Sequence, residues 1–180
     1  MCVVCHLSTD REIEDIPFDE NDRKFNIQRI EERPSCLTKR FVYYCGSSMC
    51  CGCGFGNMDI TEDILQKTDA ELRAGKLSDE TQWLWWDQNE PPPENREKFD
   101  ARAEHIRESH RDTKALYRLI EETCEAGFDC ELLVCWAGNE NEKVSETFQI
   151  HLGDGQIEVN FKAMWEDENE DRVQLYRFVR

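Results

Sequence analysis

Thiols and glycines crowd into one stretch of this chain. Residues 41–57 read FVYYCGSSMCCGCGFGN and place Cys45, Cys50, Cys51 and Cys53 among Gly46, Gly52, Gly54 and Gly56. Four thiolates suit a tetrahedral structural zinc, so these cysteines form a candidate metal set. Their spacing departs from the usual one, in which two Cys-x-x-Cys units come from separate segments. Adjacent Cys50 and Cys51 diverge, Cys45 can point into a sheet, and Cys36 or a histidine would complete the set from outside. A second chemistry is thiol-based. Cys51 and Cys53 are the candidate catalytic residues, because one sulfur of Cys-Gly-Cys can resolve the other after oxidation. A Cys–His nucleophilic pair with His105, His110 or His151 is a variant of that reading. Surrounding negative charge works against it by disfavouring the thiolate. The third reading is packing, with thiols as small apolar groups in a tight turn. The loop lacks both a phosphate-loop lysine and the dinucleotide-binding glycine pattern.

Two further motifs carry chemistry-bearing residues. Cys2-Val3-Val4-Cys5-His6 spells the attachment signature of c-type haem. That attachment follows export, and no export signal or axial partner accompanies the motif, so a first strand with Cys2 and Cys5 as compact hydrophobes is expected and haem is not. Trp83, Trp85 and Trp86 fall on a helical span ahead of Pro91, Pro92 and Pro93. Trp83 and Trp86 share a face at i, i+3 spacing while Trp85 points elsewhere, so the three are the candidate partner-binding residues; the competing account buries them as a small core of their own.

A formal net charge of -17 and a pI near 4.6 argue against nucleic acid and anionic membranes as partners and in favour of a basic protein. No apolar run approaches the roughly 18 residues of a membrane span, and the expected compartment is the cytoplasm. There, ten cysteines read as reduced thiols, buried small hydrophobes or metal ligands rather than a disulfide framework.

The elements that must position these residues follow from periodicity. Residues 41–45 favour a strand, and a continuous apolar run at 132–136 a central one; if the two are parallel in one sheet, a right-handed crossover links them. Phe25 and Ile27 fit a short edge strand. Thr61 caps a helix that Gly75 ends, and Ser78 caps another. Residues 94–126 read as a pair of helices divided near 109–112, with Leu116, Leu119 and Ile120 facing the sheet and Gly127 as the C-terminal cap. Alternation at Phe148, Ile150 and Leu152, resumed at Ile157, Val159, Phe161 and Trp165, predicts a hairpin, and a last strand falls near 172–179.

The run Tyr43-Tyr44-Cys45-Gly46-Ser47-Ser48-Met49-Cys50-Cys51-Gly52-Cys53-Gly54-Phe55 resembles a family of small, uncharacterised bacterial proteins whose strand ends in Gly-Ser before a Cys-Gly-Cys turn and an aromatic residue. Cys51, Gly52, Cys53 and Phe55 match it most closely, and the resemblance covers about half the chain. It implies no activity. The expected fold is α+β, a single domain with a mixed β-sheet, C-terminal antiparallel strands, one main covering helix and a helical insertion at about 58–111. The expected function is a non-enzymatic binding or regulatory protein; a thiol- or metal-dependent enzyme or redox protein using the Cys-Gly-Cys loop is the alternative.

Overall fold

A computed structural model describes residues 2–56, 58–78, 81, 96–152, 157, 159–161 and 172–179. The chain divides into two compact units, Met1–Gly56 with Ser109–Arg180, and Asn57–Glu108. The first is built on a mixed six-stranded sheet of order β2-β3-β1-β4-β6-β5. Its strands are β1 (Val3–Thr9), β2 (Asn26–Arg29), β3 (Phe41–Gly46), β4 (Cys130–Trp136), β5 (Glu146–His151) and β6 (Val173–Val179). The fold is α+β. Among the described residues, no helix is long and apolar enough to cross a membrane.

The apolar runs at β1 and β4 become neighbours because both are buried along their whole length and need cover on two faces. β1 is antiparallel to β3 and to β4, so the latter two run parallel with β1 between them. On one face, Cys5, Leu7, Tyr43, Leu132 and Val134 pack with Leu116 and Ile120 of helix α2 (Arg96–Glu125). Leu119 joins that core only half-buried. On the other, Val4, Val42, Leu133, Cys135, Val173 and Leu175 are covered by Ile30, Cys36 and Leu37 from the β2–β3 connector and by Val144. Buried Glu131 fastens that connector: its carboxylate accepts from Ser8 Oγ, Thr38 N and Thr38 Oγ1 at 3.0, 2.7 and 2.9 Å.

Two expectations need correction. Residues 96–125 form one helix, not two divided near 109–112, because the polar residues there face inward and are used. The second strand of the C-terminal hairpin is not formed at the described residues 157 and 159–161. The Val159 and Asn160 amides donate instead to the hydroxyls of Tyr117 and Tyr176, which leaves Ile157, Val159 and Phe161 buried as separate plugs in the core. β5 pairs parallel with β6, which is antiparallel to β4.

Helix ends follow local chemistry. α2 closes in a Schellman pair, Gly127 N to Cys124 O and Phe128 N to Thr123 O, with Gly127 at φ +94. In the second unit, α1 (Glu62–Arg73) starts at Thr61, whose side chain accepts from Ile64 N, and ends before Gly75 at φ +71. Leu65 packs there with Ile60, Phe99, Ala103 and Ile106. Trp83, Trp85 and Trp86, the prolines after them and Trp165 lie outside the described residues.

Candidate metal centre

The loop after β3 is tied at both ends before any thiol is considered. Ser47 shapes its first turn: its Oγ donates to Cys51 O at 2.8 Å and accepts from Met49 N, while its N–H also reaches Cys51 O. Asn26 Nδ2 holds the Ser47 carbonyl at 3.0 Å. From the helix, buried Asp112 accepts from Ser48 N through Oδ2 at 2.6 Å and from Phe25 N through Oδ1 at 3.1 Å, with Arg111 Nε on the same oxygen. Beside it Thr113 Oγ1 accepts from Gly56 N, and one turn back Ser109 Oγ donates to Gly56 O. A carboxylate taken out of water needs such donors, and two backbone amides with a guanidinium supply them.

Held in this way, the loop turns through a 3-10 segment, Gly52–Gly54, against the start of β1. A Cβ on Gly52 would stand 2.8 Å from Cys5 Sγ and 3.0 Å from Val3 O. Only glycine lets the loop come this close. The approach brings the sulfur atoms of Cys2, Cys51 and Cys53 within 4.8 Å of one another. Val3 N–H donates to Cys53 Sγ at 3.1 Å across a separation of 50 residues, and the thiols of Cys51 and Cys53 are hydrogen-bonded. Cys53 is pushed up to about 12, first by burial and then by the Cys51 thiol, with the Val3 amide acting the other way. Cys2 is exposed and the other two are half-buried.

The four loop cysteines therefore separate. Cys51 and Cys53 are brought together, and Cys2 joins them. Cys45 lies in the core opposite Cys5 in the β1–β3 register, and burial pushes its thiol up to about 12. Cys50 is exposed at the loop tip, with left-handed backbone at φ +64 and its carbonyl bound by Tyr44 Oη at 3.0 Å. Neither belongs to the group. Cys36 packs with the opposite face of the sheet. No histidine enters the group among the described residues: His105 belongs to the second unit, His110 lies half-buried on α2, and His151 is exposed on β5. In Cys2-x-x-Cys5-His6 the two thiols are parted, since Cys5 is fully buried in the helix-side core and His6 lies edge-on to Tyr44 on the other face.

Sequence reasoning missed Cys2 as a partner of the loop, as well as Ser109, Asp112 and Thr113. For the last three a signal existed: they fall at i, i+3 and i+4, in phase with Leu116 and Ile120. Compared with protein-family models, curated proteins and solved structures, the chain matches none.

Proposed function

We propose that this is a non-enzymatic binding protein whose ligand is a thiophilic metal cation held by Cys2, Cys51 and Cys53. The observation that carries the reading is the convergence of three sulfur atoms from two distant segments within 4.8 Å. Thiolates bound to one tetrahedral zinc stand about 3.8 Å apart, given a Zn–S length of about 2.3 Å. The group needs little adjustment to reach that. The Val3 N–H bond supports negative charge on Cys53, as outer partners do for metal ligands. A net charge of -17 raises the local concentration of cations and works against a free nucleophilic thiolate. Binding releases thiol protons to solvent. The same acidity leaves a basic protein as the expected macromolecular partner.

The test is metal binding by the reduced protein, read by native mass spectrometry with Zn(II) and Cu(I) offered separately. One cation per chain is expected, lost in Cys51→Ser and in Cys53→Ser and kept in Cys36→Ser. Failure to hold either metal, or retention by a Cys2/Cys51/Cys53 triple serine variant, overturns the reading.

A further inference from the structure

Among the described residues, the donor set of this site is sulfur alone and stops at three. Resting on the metal-binding reading above, we infer that the resident cation is a three-coordinate Cu(I) ion, held exchangeably, rather than a tetrahedral zinc.

Among the described residues, the neighbouring side chains that could supply a fourth ligand lie outside the group. Cys5 Sγ is fully buried and lies against Gly52. Cys45 sits beside Cys5 in the core. Cys50, next in sequence to Cys51, stays outside the group on its left-handed turn, with its carbonyl pinned by Tyr44. The nearest histidine in sequence, His6, has an imidazole with no hydrogen-bond partner, but it lies on the sheet face opposite Cys5. Zinc in a structural site is almost always four-coordinate and would have to draw a water to the exposed side of Cys2. Cu(I) is a closed-shell soft ion whose preference for thiolates is met by the three sulfurs alone. The same exposed side gives an incoming thiolate a path to the ion. The new sulfur adds as the ion leaves Cys2, no electron moves, and the cation passes on with its oxidation state unchanged. This is the geometry of a carrier, since a structural site surrounds its metal.

The experiment is a competition under anaerobic, reducing conditions, with Cu(I) supplied as its bicinchoninate complex to protein preloaded with Zn(II), followed by X-ray absorption at the copper edge. The expected result is displacement of zinc and three sulfur neighbours around copper, falling to two in Cys2→Ser and unchanged in Cys50→Ser. Circular dichroism of the two variants, whose substituted side chains are exposed, confirms that they fold. Zinc retained against Cu(I) with four ligands overturns the inference and leaves the metal-binding reading standing. So does a copper site that loses a sulfur in Cys50→Ser. A chain that takes up neither ion removes both.

Discussion

Cys124 and Cys130 lie together where α2 gives way to β4, their thiols hydrogen-bonded, as those of Cys51 and Cys53 are in the loop after β3. The first pair is buried in the core. Cys130 is pushed strongly up by the Cys124 thiol and then by burial, with the Thr9 hydroxyl opposing. Two thiols in contact are therefore common to both places and do not by themselves make a site. The loop differs in having a third sulfur, a backbone N–H aimed at one of the three, and solvent on the Cys2 side. Buried thiols of high pKa are inert packing groups, and the Cys124–Cys130 pair shows what the loop would be without its third member.

Removing the carboxylate of Asp112 should strain the comparison most. Asp112→Ala strands the amides of Phe25 and Ser48, while the half-exposed Arg111 guanidinium keeps the Arg23 carbonyl, and denaturant unfolding should show a loss of about 2–5 kcal/mol from the two unpaired buried donors. Metal uptake should fall with it, while Cys124 and Cys130 stay protected in the folded fraction. A loss under about 1 kcal/mol with uptake intact would mean that the loop keeps its shape without the helix.

Alkylation of the folded, reduced protein sharpens the contrast. Cys2 and Cys51 should react quickly, and Cys5, Cys45, Cys124 and Cys130 only on opening; an opening free energy of about 3 kcal/mol already slows labelling about a hundredfold. Equal rates across both groups would erase the distinction. Bound metal should protect Cys51 and Cys53 and leave Cys124 as it was.

Single truncations separate packing from ligation. Cys124→Ala should cost about 1–2 kcal/mol, at the low end for a buried group, with metal stoichiometry unchanged. Cys51→Ala should move apo stability by less than about 1 kcal/mol and abolish the bound cation. The reverse pattern would assign the chemistry to the buried pair.

The smallest effect concerns His6, which probes the sheet face away from both groups. Burial lowers its pKa and the Glu140 charge partly opposes; Tyr44, Cys36 and Cys135 share that face. The unfolded chain takes up the proton first, near the free imidazole value of about 6.5. Stability from this group is thus full above about pH 6.5 and declines as pH falls from there, levelling once the folded imidazole itself titrates. In His6→Phe that segment of the pH–stability curve should flatten, and an unchanged slope would assign it to other groups.

Much of this was legible locally. The apolar run that became β4, the Thr61 cap, the Gly75 stop and the Gly127 terminus are short-range decisions, and each formed where residue chemistry placed it. What sequence left open was pairing. Alternation shows that Phe148 and Ile150 belong to a strand, but it does not name the neighbour, and the strand went parallel beside β6 rather than into a hairpin. Ser109 and Asp112 read as a helix break because polar residues favour helix ends, yet here they satisfy backbone groups of another segment. Cys2 stayed hidden for the same reason: its partners lie on the far side of β2 and β3 in the chain, and no local rule reaches that distance.

Asp112 also sets an order in time. During synthesis the ribosome releases Cys2, Cys51 and Cys53 well before residue 112, and N-terminal segments are free to collapse first. The sulfurs then exist as a loose set on a strand and an untethered loop, each able to capture an ion in a geometry of its own. Their convergence awaits the helix, whose one carboxylate closes on Phe25 and Ser48 together. If the group holds a metal as proposed, the loaded centre is therefore a late product of maturation, and a chain stalled short of α2 would carry Cys2, Cys51 and Cys53 without the helix that gathers them.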